Sequence, residues 1–265
     1  MIHRFDFVAI GDNCIDRFQD GDKSELVGGN AVNVAAQLSM LGRNVAYFGA
    51  VGDDRDGELT VKILNKVGVN TDYVKVVPGL TAYSLIKHDE AGDRDIYFEE
   101  FGVTANYLPD EKDLDIIGLT KHAHIGWLND GGKIPRQLAN NNVTVSRDLS
   151  INLNPECLDP DGLNIAILSA SNLDDAKEKA EGLLQVGAKM ALVTAGEHGS
   201  LVADGADIAF IKAELIEPVD TTGAGDAFIA GFLNAYYDGS SLEASLKAGR
   251  TIATKACLHM GGFAQ

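Results

Sequence analysis

Short apolar runs alternate with amphipathic stretches along the chain, and this rhythm limits the fold more than any other feature of the sequence. Phe7-Val-Ala-Ile10, Val45-Ala-Tyr-Phe48, His124-Ile125, Ile165-Ala-Ile-Leu168 and Ala191-Leu-Val193 are too short for helices and read as buried strands. Between such runs, helical patterns cover 30–41, 57–67, 110–119, 174–186, 224–237 and 242–258. That order predicts an α/β fold with a central, mainly parallel sheet and helices on both faces. Two segments break the rhythm. Residues 15–27 and 80–101 alternate polar and apolar side chains with no helix inside them, the pattern of antiparallel strands. They form either a small β-sheet lid over the main sheet or edge hairpins with no gating role. No repeat, low-complexity tract or long linker divides the 265 residues, so one domain over 1–265 is expected, with lid segments at 15–27 and 80–101.

Charge removes several classes of partner. The 22 Lys and Arg against 39 Asp and Glu leave a net charge of −17, which repels a nucleic-acid backbone or an anionic membrane. Neither is expected as a partner. The chain has no run near 18 uninterrupted apolar residues and no basic-then-apolar leader, which predicts a cytoplasmic protein. Cys14, Cys157 and Cys257 fit neither a disulfide framework nor a zinc site and read as reduced thiols. With no basic partner evident nearby, Cys14 reads as a small buried side chain rather than a nucleophile.

Asp220-Thr-Thr-Gly-Ala-Gly-Asp-Ala-Phe-Ile-Ala-Gly-Phe232 carries the most chemistry. Gly223 and Gly225 let the backbone approach a ligand closely, and Phe228, Phe232 and Tyr236 mark a helix beginning at this turn. The N–H groups of Gly223, Ala224, Gly225 and Asp226 would be unpaired there, at the positive end of the helix dipole, and form an anion hole. Asp226 can accept a hydroxyl proton beside it while the amides stabilise charge on a transferring phosphoryl group. A lone Gly-x-Gly-Asp would equally be an ordinary acidic helix start. The whole thirteen-residue string favours the chemical reading.

Gly28-Gly-Asn-Ala-Val-Asn-Val-Ala35 opens another helix, and Gly11-Asp-Asn-Cys-Ile-Asp16 closes the first strand. Ligands of open α/β sheets bind beyond the carboxyl ends of strands, which puts both segments on one rim. Asn13, Asp16 and Asn33 suit hydrogen bonding to a polyol, although each alone is equally a cap or turn residue. Two nucleotide motifs are missing: Gly132-Lys133 continues into Ile134 rather than Ser or Thr, and no Gly-x-Gly-x-x-Gly follows the first strand. His122 and His124 share a strand face without a third ligand and read as packing or network residues rather than a metal site. Trp127 reads as core in preference to a ligand-stacking residue, and Arg94 as a surface charge in preference to a contact for an anionic substrate group.

Taken together, these strings resemble the signatures of the ribokinase-like, or PfkB, family of carbohydrate kinases, and the resemblance runs over essentially the whole chain. Gly28-Gly-Asn-Ala-Val-Asn33 is similar to the amino-terminal signature, and Asp220 to Phe228 to the highly specific carboxy-terminal one. Within the family, the Gly11 to Asp16 and Gly28 to Ala35 segments look most similar to fructoselysine 6-kinases. The resemblance implies a ribokinase-like three-layer fold, a β lid that often serves as a homodimer interface, and ATP- and Mg²⁺-dependent phosphorylation of a sugar hydroxyl. It also implies Asp226 as the base, Gly223, Ala224 and Gly225 as the anion hole, and Asp16, Gly28, Gly29 and Asn33 as sugar contacts.

Thr194-Ala-Gly-Glu-His-Gly199, by itself a turn, matches the family's Thr-x-Gly-x-x-Gly, which sets Thr194, Gly196, Glu197 and Gly199 against ATP. Asp220 and Thr222 match positions where relatives often bind a monovalent cation such as K⁺. One motif departs: where the family has a magnesium-organising Asn-x-x-Glu, this chain has Ser169-Ala-Ser-Asn172 followed by Asp174 and Asp175, so the Mg²⁺ ligands stay unassigned. The expected acceptor is fructoselysine or a similar ketose adduct. Another sugar or nucleoside kinase (fructokinase, ribokinase) and a non-catalytic sugar sensor are the alternatives. Asp89, Glu90, Asp93, Asp95, Glu99 and Glu100 in the second lid segment would favour a cationic adduct over plain fructose.

Overall fold

The computed structural model describes residues 4–19, 24–88, 94–141, 143–152 and 154–265. In chain order the elements are β1 (Phe5–Ile10), β2 (Cys14–Phe18), β3 (Glu25–Gly28), α1 (Asn30–Met40), β4 (Val45–Gly52), α2 (Arg55–Lys66), β5 (Val74–Val77), β6 (Tyr83–His88) and β7 (Arg94–Glu100). Then come α3 (Glu111–Ile117), β8 (Thr120–Ile125), α4 (Lys133–Asn140), β9 (Thr144–Asp148), β10 (Ile165–Ser169), α5 (Leu173–Gln185), β11 (Ala191–Thr194), β12 (Ser200–Ala203), β13 (Ile208–Ile211), α6 (Ala224–Tyr237) and α7 (Leu242–Ala256). The six helices expected from periodicity are present, with ends shifted by a few residues. Helix α4 was not foreseen, because its eight residues with an early Pro135 give too short and irregular a pattern.

The main sheet has the order β13-β12-β11-β10-β9-β8-β1-β4-β5 and is parallel except where β12 and β13 turn back antiparallel at one edge. From β1 the chain builds outward through β4 to β5, then returns to β8 on the other side. The order therefore reverses between β1 and β8, the switch point where open α/β sheets form a crevice. Register brings Ile10 beside Ile125, and Ile125 beside Arg147, so the loops after β1, β8 and β9 emerge side by side.

Alternation along the strands feeds two cores. Val8 and Ile10 of β1 pack with Ile117 of α3, Leu138 of α4 and Ala176 of α5. Phe7 and Ala9 face the other way, toward α1, Phe232 of α6 and Leu246 of α7. Helices on both faces complete three layers.

The two rhythm-breaking segments do form a separate sheet, β3-β2-β6-β7. Each hairpin is antiparallel as expected, but β2 pairs with β6 in parallel, a join that local alternation cannot encode. This sheet is tied to the main body by an ion pair from Arg17 of β2 to Asp56 of α2. Asp54 adds a second tie, accepting Thr81 N–H at 2.9 Å and Thr81 Oγ1–H at 2.6 Å while capping α2 through Gly57 N–H.

Candidate active site

Helix α6 starts without the side-chain cap that Asp54, Asp110, Asn172 and Ser241 give to α2, α3, α5 and α7. Its N-cap is Gly223, left-handed at φ 68°. Among the described residues the N–H groups of Gly223, Gly225 and Asp226 have no partner, whereas that of Ala224 turns back to the Thr221 carbonyl at 3.2 Å. The first turn therefore presents three of the four expected donors. A Cβ added to Gly225 would meet no protein atom within 4 Å, so the space over the turn is open to a ligand.

Asp226 is buried in that turn, and both its oxygens are held. Asn33 Nδ2 donates to Oδ2 at 2.7 Å, and Asn30 Nδ2 donates to Oδ1 through a short contact. The same Asn30 amide reaches Asp148 Oδ2 at 3.2 Å, linking the ends of β9 and α6 through the start of α1. Asp12, after β1, accepts the N–H groups of Asn30 (2.6 Å), Ala31 (3.1 Å) and Trp127 (3.0 Å). It caps α1 from a distance and pins the two switch-point loops together.

Burial pushes the Asp226 carboxyl well above its ordinary range. The amide of Asn33 opposes that rise, and the neighbouring charges of Asp148 and Asp12 add to it. Asp148 is likewise raised by burial. Asp12 is half-buried by exposed area, yet packed protein atoms raise its pKa against its three backbone donors.

The expected sugar residues line one rim, in unequal roles. Asp16 is buried, accepts Cys14 Sγ at 3.3 Å, and lies so close to Gly28 that a Cβ there would come within 2.6 Å of Oδ2. Gly29 has φ 105°, and its Cβ would fall 2.6 Å from Asn13 Cα, so only glycine fits. Asn13 commits its amide to Ala50 O (2.7 Å), Tyr47 Oη (3.0 Å) and Thr104 Oγ1 (3.3 Å), which makes it a brace between the rim and β4. Asn33, expected on the sugar, is turned to Asp226. Among the described residues the buried carbonyl oxygens of Asn13, Asn30 and Asn33 have no hydrogen-bond partner. Trp127 is not core. It is half-buried, with its ring 4.7 Å from that of Phe101 just after β7.

On the other side of the anion hole is a cavity of about 370 Å³. Thr194, Gly196, Glu197 and Gly199 line it together with Ala224 and Gly225, so the turn after β11 and the α6 turn face one space. Phe228, Ile216 and Ala253 supply an apolar wall. Asp220 is buried beside the turn, where Oδ1 accepts from Thr222 N–H (2.9 Å) and Oγ1–H (2.6 Å), and Oδ2 from Gly261 N–H (2.8 Å).

Several other groups have structural roles. His122 and His124 share the Ser146 hydroxyl at 2.8 and 2.9 Å, and burial lowers His124 to about 3, so both are neutral network residues. Asn172 caps α5 through the N–H groups of Asp174 and Asp175, and Asp175 returns to Ser171 N–H at 2.7 Å. The Asp174 side chain is 96% exposed. Burial raises the Cys14 thiol well above its ordinary value, against a nucleophilic role. Of the acidic lid residues, Glu99 is exposed and Glu100 accepts Gly102 N–H at 3.0 Å. Asp89, Glu90 and Asp93 lie outside the described residues, as do the side chains of Arg94 and Asp95.

Sequence reasoning missed Asp12, Asn30 and Asp148. The first two lie inside the strings Gly11 to Asp16 and Gly28 to Asn33. For Asp148 the one available signal was a carboxylate ending an apolar strand at the binding rim.

Known proteins share this arrangement. The pfkB family carbohydrate kinase pattern matches residues 14–133 and 163–264. Fructosamine kinase FrlD of Bacillus subtilis (strain 168) is 31% identical over 263 residues, covering 97% of this chain and 92% of the relative. Fructoselysine 6-kinase of Escherichia coli (strain K12) is 31% identical over 262 residues, covering 96% and 98%. Adenosine kinase from Sinorhizobium meliloti superposes with a TM-score of 0.84 at 25% identity, covering 98% of this chain and 96% of that one. Arabidopsis thaliana ribokinase complexed with ribose and ATP superposes with a TM-score of 0.85 at 21% identity, covering 98% and 94%, and supports the fold. With both signatures, the three layers and the small second sheet in agreement, the chain belongs to the pfkB family of carbohydrate kinases and is an ATP-dependent sugar kinase.

Proposed function

We propose that the protein is a fructosamine 6-kinase, transferring the γ-phosphoryl group of ATP to the 6-hydroxyl of fructoselysine or a similar cationic ketose adduct. The observation that carries the chemistry is Asp226, held at both oxygens beside unpaired helix N–H groups in a turn whose Ala224 and Gly225 line an open cavity. Asp226 takes the hydroxyl proton as the oxygen attacks phosphorus, the N–H groups of Gly223, Gly225 and Asp226 stabilise the transferring group, and ADP leaves. Asp16, beside Gly28 on the rim that carries Gly29 and Asn33, accepts from sugar hydroxyls. The turn Thr194 to Gly199 lies along the ATP phosphates and ribose.

Asp148 has the chemistry to hold Mg²⁺, being a buried hard-oxygen carboxylate bridged to the base by Asn30. When bound with the nucleotide, the ion supplies neutralisation of phosphate charge. Asp220 and Thr222, whose carboxylate and hydroxyl meet at 2.6 Å beside the α6 turn, are the hard oxygens that would hold a monovalent cation. Residues 1–265 act as one kinase domain, with the lid segments 15–27 and 80–101 over the sugar, in the cytoplasm, where ATP is available.

The cationic acceptor is favoured by the net charge of −17, by Asp16, and by the names of the relatives above. An ADP-release assay over fructoselysine, fructose, ribose and adenosine tests it. The highest kcat/KM is expected for fructoselysine, with an advantage that shrinks as salt screens exposed charge. Faster turnover of any of the others would remove the narrow assignment, and no turnover of any would favour a sensor.

A further inference from the structure

A cationic side chain, Arg250, lines the same cavity as the anion-hole residues Ala224 and Gly225. The Cys257 carbonyl, just after α7, accepts the N–H groups of Val219 and Asp220 at 2.8 and 3.4 Å, which fixes that end of the helix beside the anion hole. Ala253 and Arg250 line the same cavity farther back along α7. At 1.5 Å per residue Arg250 stands about 10 Å from Cys257, at the depth where a base would lie when its phosphates occupy the anion hole. Phe228, Ile216 and Ala253 offer apolar surface to a purine and do not distinguish one base from another.

Arg250 can distinguish them. Its Nη1 donates to the Lys212 carbonyl at 3.2 Å, just beyond β13, and this is its one hydrogen bond among the described residues. Its Nε is buried without a partner, and among the described residues no carboxylate pairs with the guanidinium. The group is thus tethered at the cavity wall and short of acceptors. A guanidinium has donors only, in a planar fork. Guanine and hypoxanthine present two adjacent acceptors, O6 and N7, whereas adenine places the N6 amino donor beside N7 and so opposes a second donor.

We propose that Arg250 reads the base edge of the phosphoryl donor, and that the cavity takes 6-oxopurine nucleotides such as GTP and ITP at least as well as ATP. This rests on the assignment of the cavity to the nucleotide.

The test reads binding without sugar or turnover: ADP, GDP and IDP compete with fluorescent N-methylanthraniloyl-ADP on the full chain. GDP and IDP should compete at least as well as ADP. Arg250→Ala should weaken both by about tenfold or more while changing ADP by less than about threefold. Arg250→Lys, which keeps the charge and loses the fork, should also lose the 6-oxopurine advantage. A wild-type preference of about tenfold for ADP, or equal losses for all three in Arg250→Ala, would overturn the proposal and leave the kinase reading standing. If the fluorescent nucleotide does not bind at all, the cavity assignment falls and takes this proposal with it. Should Arg250→Ala fail to fold, the wild-type ranking and Arg250→Lys decide the matter.

Discussion

A carboxylate that serves as a base must be held in place and kept from being too comfortable as an anion, and Asp226 meets both conditions. Asn30 and Asn33 fix its two oxygens, while burial and the charges of Asp148 and Asp12 raise its pKa. Asp226→Asn should lower kcat by at least about a hundredfold with nucleotide and sugar binding retained; comparable turnover would remove its role. The raised pKa also makes a statement about stability. The folded protein holds this proton more tightly than the unfolded chain, so the associated stability is present below the unfolded value near 3.8 and is lost as pH rises through the folded pKa. The permanently neutral Asp226→Asn should therefore melt higher than wild type near pH 8 and lose that advantage near pH 4, as scanning calorimetry can show. Asp148→Asn removes a negative neighbour, so the acidic limb of the kcat/KM profile should move to lower pH. An unmoved limb would mean that the two carboxylates are not coupled in solution.

The elements around the site differ in how they fix it. Helix α1 takes its cap from Asp12 in the loop after β1, and α6 has no side-chain cap, so the first turns of both converge on one crevice with donors and amides turned inward. The β2–β3 hairpin brings Asp16 against Gly28 with no room for a methyl group. Gly28→Ala should therefore displace the Asp16 carboxylate and raise KM for the sugar by about tenfold, with a smaller change in KM for ATP, which separates a sugar-site effect from general damage. Equal effects on both substrates would place Asp16 elsewhere in the mechanism.

For the molecule as a whole, the small sheet leaves Ile96, Tyr97 and Phe98 of β7 37%, 46% and 44% exposed on an edge strand, an arrangement that invites a second copy. Light scattering on the eluted protein should give a dimer, and Ile96→Glu with Phe98→Glu should give a folded monomer. A monomeric wild type would remove the lid interface. The sequence by itself determined the three-layer α/β order, six of the helices, the existence of two strand-rich segments, and the Asp220 to Phe232 and Gly28 to Asn33 strings, because periodicity, glycine turns and helix starts are local properties. Tertiary structure decided what depends on neighbours distant in sequence. It joined β2 to β6 in parallel, set the Asn33 amide on the carboxylate of Asp226, placed the Trp127 ring against Phe101, and set Asp12, Asn30 and Asp148 around Asp226. The physical reason is the reversal of strand order between β1 and β8. It lays loops more than a hundred residues apart in sequence side by side, and the hydrogen bonds made there leave no mark on the local pattern of any one segment.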